Sequence, residues 1–476
     1  MTNMDIAVNS LHDAVKFGKR ILLYGDYDVD GLCSLLIMRQ FFDLINVKHY
    51  DIVKYKTRTH HISPDVVNDA LSKGSELTII MDTGSGEPDL EELSRLIKVS
   101  NVIVCDHHTP QFDYSTIDRC VFLNPKHLDQ FPYLSGACVV YELCLNYFVT
   151  YRSDEVAVAK KYLSFLACAA LYSDSIYNDN SYTKTLYSHS QRGIFPQSVA
   201  FLPYIHSSKR FFLYTFAPLF NACFRNGRLD LINNLLLGDI FLTYADKDRY
   251  VKDIIKLRDY SREVVIAITK LCQSTVYNNI VFTDLTGLLN QNIPNRYIKD
   301  NKGLIANMLA AKYKMCSMVV VSDGTQYLLS VRDYHNRDVF RLCRPFYKVG
   351  GHPPAFGGSM TNKDRLEIED KLKFFDTKLT ETHKPNIIPF SYNAIDKVAR
   401  DNEYKQQKDI VLMRVPYSEV KEEWSPETFS ERFLQFKLNS TSIWWRKEPW
   451  YRMGEDMLVH FYVTTKIKAD MVQEDA

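Results

Sequence analysis

Arg20-Ile-Leu-Leu-Tyr-Gly-Asp-Tyr-Asp-Val-Asp-Gly31 is the stretch on which the fold turns. It opens with a short, unbroken apolar run. It then sets three carboxylates, Asp26, Asp28 and Asp30, at alternate positions of one turn. Continuous rather than alternating apolar residues suit a strand covered on both faces, as in a parallel α/β sheet. Leu32 to Asn46 then reads as a helix. The same grammar recurs downstream. Leu77-Thr-Ile-Ile-Met81 runs into Asp82-Thr-Gly84, and Asn101-Val-Ile-Val-Cys105 runs into Asp106-His-His108. Val121-Phe-Leu123 reads as a fourth strand. Ligands of open parallel sheets bind just beyond the carboxyl ends of the strands, so the acidic turns lie where an α/β site is expected.

From about Asp154 to Leu289 the pattern is mostly helical, with Arg249 to Cys272 reading as a long, exposed connecting helix. Asn278 to Asp284, Met315 to Ser322 and Gln326 to Arg332 read as strands of a second α/β unit. A glycine-rich loop, Gly350-Gly-His-Pro-Pro-Ala-Phe-Gly-Gly358, follows them. The last hundred residues read as β-rich and hold all four tryptophans, Trp424, Trp444, Trp445 and Trp450.

The length of 476 residues predicts two to four domains. Lys plus Arg is 58 and Asp plus Glu 57, which excludes a protein that coats nucleic acid through bulk charge and leaves room only for a local basic groove. No apolar run reaches the roughly 18–20 residues of a membrane span, so no membrane partner is expected. The ten cysteines are scattered without a C-x-x-C pair. That suits a reduced, cytoplasmic compartment better than a disulfide framework.

Three carboxylates crowded into one turn repel each other, and such a cluster is stable mainly when cations neutralise it. Asp174, in Leu171-Tyr-Ser-Asp-Ser175, adds another acid from a later helix. An oxygen-rich set with an occasional imidazole suits Mg²⁺ or Mn²⁺, whereas zinc favours sulfur and nitrogen. Two such ions can activate water and stabilise both oxygens of a phosphoryl displacement. Taken singly, an Asp after a strand is ordinarily a cap, and a His-His pair is ordinarily surface. Three acidic clusters at three consecutive strand ends resist that explanation. Asp-x-Asp-x-Asp-Gly also opens a calcium loop, but the preceding apolar strand and the missing downstream Glu argue against an EF-hand.

On these motifs the chain resembles the DHH phosphoesterase family and, within it, the RecJ-type single-strand exonucleases. Gly25 to Gly31 matches the first motif, Asp82-Thr-Gly84 the second and Asp106-His-His108 the motif that names the family. Asp174 stands where the fourth is expected. Gly350-Gly-His-x-x-Ala-x-Gly357 resembles the glycine-rich motif of the DHH-associated domain. Asn124-Pro-Lys126, Leu134-Ser-Gly-Ala137 and Ala217-Pro-Leu-Phe-Asn-Ala-Cys-Phe-Arg225 resemble segments of the RecJ branch. The resemblance implies that Asp28, Asp30, Asp82, His107 and Asp174 are ligands of two divalent cations. Asp26 is grouped with them as a supporting carboxylate, and Asp106 and His108 form the catalytic pair, with His108 on the phosphate. It also implies substrate contacts from Arg225, Arg332 (in Ser330-Val-Arg332), Gly350, Gly351 and His352. Three departures stand out. Phe224 replaces a common Gly, Asp300-Asn-Lys302 replaces Trp-His, and Tyr24 stands where some relatives carry His.

The implied fold is α/β. A parallel-sheet DHH domain (1–185) is joined by a helical bridge (186–275) to a smaller α/β DHH-associated domain (276–375), with a β-rich C-terminal region (376–476). The implied function is metal-dependent, 5′→3′ hydrolysis of single-stranded DNA, with DNA preferred over RNA, in repair, recombination or replication. Two rivals are a phosphodiesterase of short oligoribonucleotides or cyclic dinucleotides and a non-catalytic replication scaffold, whose known examples lose metal ligands that this chain keeps. In the C-terminal region, Ile443-Trp-Trp-Arg-Lys-Glu-Pro-Trp450 suits either a single-strand stacking surface of an oligonucleotide-binding-like barrel or the core of a small β-domain. The region is also where a replication or repair protein would dock.

Overall fold

The computed structural model describes residues 2–56, 59–125, 134–174, 181–193, 205, 207–237, 243–291, 293–335, 337–352, 354–381, 387–389, 411–416, 421–424, 432–438, 441–446, 451–453 and 456–461. The chain divides into two compact units, Met1–Val276 with Ile280–Ile368 and Tyr277–Asn279 with Glu369–Ala476.

The first unit opens with helix α1 (Asn3–Lys16), followed by β1 (Ile21–Gly25), α2 (Val29–Leu44), β2 (Tyr50–Ile52), α3 (Pro64–Lys73), β3 (Leu77–Met81), α4 (Leu90–Leu96), β4 (Asn101–Cys105) and β5 (Cys120–Leu123). The five strands are parallel, in the order β2-β1-β3-β4-β5. The sequence runs identified four of them. Strand β2 went unread because it is three residues long and carries an exposed Asp51. It pairs with β1, so the strand order reverses between β1 and β3, the switch point at which doubly wound sheets bind ligands.

Both sheet faces are covered, and this is why the strands read as unbroken apolar runs. Ile21, Leu23, Ile79, Met81, Ile103 and Cys105 face one core, built with α1, α2 and the helices that follow the sheet. Leu22, Tyr24, Ile80, Val102 and Val104 face the other, built with α3 and α4. After the sheet come α5 (Gly136–Tyr151), α6 (Val156–Ser173) and α7 (Ser181–Gln191). The expectation that no segment reaches membrane-span length needs correction. Ser153–Ser173 is long and apolar enough to cross one by length and composition. Its apolarity serves the interior here, with Leu163 to Tyr172 buried.

The short helix α8 (Lys209–Phe211) passes through a π-helical turn (Phe212–Phe216) into α9 (Ala217–Arg225), and α10 (Leu229–Leu235) and α11 (Tyr244–Leu271) follow. Helix α11 connects the two sheets, with its charged face exposed and an apolar stripe buried. Val251 and Ile254 are buried in the core of the parallel sheet, and Val265 and Ile268 in that of a second sheet.

That second sheet is mixed, in the order β10-β11-β9-β8-β7-β6. Its strands are β6 (Ser274–Val276), β7 (Ile280–Asp284), β8 (Cys316–Ser322), β9 (Tyr327–Asp333), β10 (Lys348–His352) and β11 (Ala355–Met360). Helices α12 (Asn295–Asp300) and α13 (Lys302–Tyr313) precede β8, α14 (Val339–Cys343) precedes β10, and α15 (Asn362–Leu366) follows β11. The glycine-rich stretch read as a loop is therefore an antiparallel pair, with Gly350 opposite Gly357 and Gly351 opposite Phe356. Glycine is poor in strands, which is why the sequence pointed elsewhere. Here it is required at Gly351, whose φ is +132° and where a Cβ would meet Phe356 Cα at 2.9 Å.

The second unit contains most of α16 (Ile368–Glu381) and strands β12 (Ile387–Pro389), β13 (Val411–Pro416), β14 (Lys421–Trp424), β15 (Arg432–Leu438), β16 (Thr441–Arg446), β17 (Tyr451–Met453) and β18 (Asp456–Phe461). They form a four-stranded sheet, β12-β13-β18-β17, and a three-stranded one, β14-β15-β16. Trp424, Trp444 and Trp445 lie in strands, while Lys447 and Trp450 fall outside the described residues.

Candidate metal centre

Parallel register brings the acidic turns to one level. Gly25 pairs with Met81, Met81 with Cys105, and Cys105 with Leu123. The next residue of each strand extends the ladder. Asp26 N donates to Met81 O, Asp82 N to Cys105 O and Asp106 N to Leu123 O, at 3.1, 2.7 and 3.0 Å. Three turns that lie far apart in sequence are thereby aligned along one edge.

His107 is the meeting point. Its Nε2 lies 3.3 Å from Asp82 Oδ1, 3.5 Å from Asp174 Oδ2 and 3.7 Å from Asp30 Oδ2. Asp30, His107 and Asp174 form one group able to hold a metal ion, and Asp82, Asp106, His107 and His108 another. Asp30 lies in the first turn of α2 and is fully buried, its oxygens accepting from Gly136 N (2.7 Å) and Ala137 N (2.8 Å) at the start of α5. Asp28 is the N-cap of α2, with Oδ1 accepting from Gly31 N. Asp174 ends α6. Asp82 has a positive φ of 63°, and neither buried carboxylate oxygen has a hydrogen-bond partner among the described residues. An unsatisfied buried carboxylate is costly unless a ligand completes it.

The electrostatics agree. Burial, then the charges of Asp174 and Asp28, raise Asp30 well above the ordinary carboxylate value. Burial, then Asp30, Asp28 and Asp174, do the same to Asp82. Burial, then Asp28, raise Asp174 to about 7. Repulsion among acids that close is what a cation relieves. Asp106 runs the other way. Burial would raise it, but it accepts from His108 Nδ1 (2.8 Å), His107 N (2.7 Å) and Ser85 N (3.0 Å), and these donors hold it below the ordinary value. Burial would lower His108. The adjoining Asp106 charge wins and lifts it to about 10. The His108 side chain is 44% exposed and Asp106 1%, so a buried acid orients a protonated imidazole at the mouth of the cluster. Asn124 braces this turn, its Nδ2 donating to His108 O at 2.9 Å.

The loop of Asp26 to Asp30 is pinned by aromatics. Tyr55 hydroxyl donates to Asp26 O and Tyr27 hydroxyl to Phe224 O, and the three rings pack edge to face or tilted. Phe224, a departure from the RecJ pattern, fills this contact. Arg225, half-buried at the end of α9, is the next residue in the chain.

Arg332 lies on β9, away from this edge in sequence. Its Nη1 donates to Val331 O, Phe356 O and, at 3.4 Å, Ser330 Oγ. Burial lowers its pKa to about 10, and no carboxylate among the described residues pairs with it. Gly303, in the first turn of α13, makes room, since a Cβ there would lie 3.1 Å from Arg332 Nη2. Gly350, Gly351 and the backbone of His352 form β10, the sheet edge. Tyr24, at the position some relatives give to His, is 4% exposed and donates its hydroxyl to His61 O at 2.9 Å.

Sequence reasoning missed His60. Its Nδ1 lies 2.8 Å from Asp26 Oδ2, and Asp26, Asp28 and His60 form a third group able to hold a metal ion. The signal was the pair His60-His61, set between Thr59 and Ile62 with no acid beside it.

Comparison with known proteins places this geometry. The family signature "DHH family, N-terminal domain" matches residues 20–170. The single-stranded-DNA-specific exonuclease RecJ of Escherichia coli is 30% identical over 152 residues, which are 30% of this chain and 26% of that protein. The chain thus matches about a quarter of the length of that relative. RecJ from Thermus thermophilus in complex with Mn²⁺ superposes over 97% of this chain and 68% of that one, with a TM-score of 0.62 and 17% identity. Exonuclease RecJ bound to manganese superposes over 79% of this chain and 95% of that one, with a TM-score of 0.56 and 19% identity.

Proposed function

This chain belongs to the DHH superfamily and is RecJ-like, and from that premise we propose that it is a metal-dependent exonuclease of single-stranded DNA, cutting from the 5′ end. The observation that carries the reading is the convergence of His107 Nε2 with Asp30, Asp82 and Asp174 within 3.7 Å, together with the Asp82 oxygens, which have no hydrogen-bond partner among the described residues. The donor set fits two divalent cations, Mn²⁺ or Mg²⁺. It is rich in carboxylate oxygen, carries one central imidazole, and loses its internal repulsion when cations enter. Asp30, His107 and Asp174 would hold one ion, Asp28 would lie on the other, and Asp82 would serve both. Bound there, such a pair supplies Lewis-acid activation of water and neutralises the phosphate.

The chain's own groups do the rest. Asp106 fixes the orientation of His108 and stabilises its positive charge, so that a protonated imidazole faces the phosphate. Arg332, without an acid partner among the described residues, provides a second cation for the backbone, and the edge strand β10, separated from it by β11, offers further main-chain N–H groups. Arg225, reached through Phe224, extends the phosphate track from the acidic loop. The name of the Escherichia coli relative supports DNA as the substrate.

The test is a nuclease assay on single- and double-stranded DNA and on RNA, labelled at either end, with Mn²⁺ or Mg²⁺. Nucleotides should be released from the 5′ end of single-stranded DNA, and Asp82→Ala and His107→Ala should abolish release while keeping the far-ultraviolet circular dichroism of the parent. Cleavage surviving in Asp82→Ala would contradict the assignment. Cleavage confined to dinucleotides or cyclic dinucleotides would move the chain to the short-substrate branch.

A further inference from the structure

We infer that Asp26, Asp28 and His60 form the outer of the two cation positions, with the His60 imidazole as a ligand contributed by the loop between β2 and α3. This rests on the reading of the acidic cluster as a divalent-metal centre, and it adds a residue outside the four acidic motifs.

Ligand atoms of Asp26, Asp28 and His60 all lie within 4.8 Å of one another, apart from the group formed by Asp30, His107 and Asp174. Asp26 is 3% exposed. One of its oxygens is 2.8 Å from His60 Nδ1, and the other, Oδ1, is buried with no hydrogen-bond partner among the described residues. Asp28 spends Oδ1 on the α2 cap. Two carboxylates and an imidazole are a donor set suited to Mn²⁺.

His60 is not a loosely tethered surface histidine. Three consecutive residues are tied to the site. Thr83 Oγ1 donates to His60 O (3.2 Å), Tyr24 hydroxyl donates to His61 O (2.9 Å), and Ile62 N donates to Asp89 Oδ1 (2.7 Å). Thr83 belongs to the same turn as Asp82, so the bond that holds His60 also fixes it relative to Asp82. Tyr27 stands edge-on to the ring at 6.4 Å. Tyr24, committed to His61, has its hydroxyl occupied by the loop that presents His60, and the imidazole arrives from that loop.

The experiment titrates Mn²⁺ into the full-length chain and its His60→Ala and His60→Gln variants. Calorimetry gives stoichiometry and affinity, and nitrogen modulation in pulsed electron paramagnetic resonance counts coordinated imidazoles. The parent should take up two Mn²⁺ with two imidazoles in the coordination spheres. Both variants should weaken one site by at least about tenfold, leave the other unchanged and lose one imidazole signal. His60→Gln keeps a donor for Asp26, so it guards against a folding defect in the alanine variant. Equal stoichiometry, affinity and nitrogen modulation in parent and variants would overturn the assignment, reducing His60 to a hydrogen-bond partner of Asp26. A parent that binds both ions but cleaves no nucleic acid would refute the exonuclease reading alone.

Discussion

Asp82 concentrates the cost of the centre in one residue. It adopts a left-handed backbone, which costs an L-residue roughly 1–2 kcal/mol, and buries two carboxylate oxygens that have no hydrogen-bond partner among the described residues. What permits this is the hydrogen at Gly136. A Cβ there would lie 2.5 Å from Asp82 Oδ1 and 2.6 Å from its Cβ. Gly136→Ala should therefore displace the Asp82 side chain, at about 1–3 kcal/mol of overpacking, and weaken Mn²⁺ binding more than it lowers the melting temperature of the metal-free chain. Calorimetric titration and a melting curve on one preparation check this, and unaltered Mn²⁺ affinity would refute it. Asp26, Asp82 and Asp106 were legible because each follows a strand directly, whereas Asp174 ends a helix. His60 was not, because its role depends on a loop folding back onto Asp26, which lies 34 positions earlier in the chain. Gly136 was legible only as part of a RecJ-like segment, and the close approach that demands it exists only in three dimensions.

At the scale of elements, helix starts do much of the positioning. Asp28 caps α2, and the first two amides of α5 hold Asp30, so a carboxylate faces the positive end of a helix as the macrodipole favours. Ser135, buried and accepting from Cys138 N, caps α5 and sets the direction of those amides. Ser135→Ala should cost about 1 kcal/mol in urea unfolding and also weaken Mn²⁺ binding through Asp30. A stability loss with intact metal affinity would show that the cap and the ligand are uncoupled. Strands β1, β3, β4 and β5 announced themselves through apolar runs dictated by burial on two faces. Strand β2, at the sheet edge with an exposed acid, carries no such run, and β10 hides behind glycines that ordinarily mark turns. Strands β1, β3 and β4, which run into the turns of Asp26, Asp82 and His107, were among those the sequence made plainest, because burial on both faces writes them as apolar runs.

For the whole molecule, the buried acids link folding to pH. Asp26, Asp30, Asp82 and Asp174 all have raised folded pKa values, burial being the leading cause. The stability each contributes is complete below the ordinary carboxylate value and is lost as pH rises through its folded value, about 7 for Asp174. Asp106, depressed by its donors, acts oppositely but only in more acid solution. In EDTA the melting temperature should therefore fall between about pH 5 and about pH 8. Mn²⁺, which binds ionised carboxylates, should flatten or reverse that fall. Differential scanning fluorimetry across the series checks both, and a melting temperature rising with pH in EDTA would contradict the scheme. Helix α11 bears on the same scale differently. Its 28 residues, about 42 Å at 1.5 Å each, are anchored by Val251 and Ile254 at one end and by Val265 and Ile268 at the other. Such a shaft makes the spacing between the candidate metal centre and Arg332 a matter of residue count. One residue more would turn the far sheet by about 100°, so lineages could lengthen the reach only in near-whole turns.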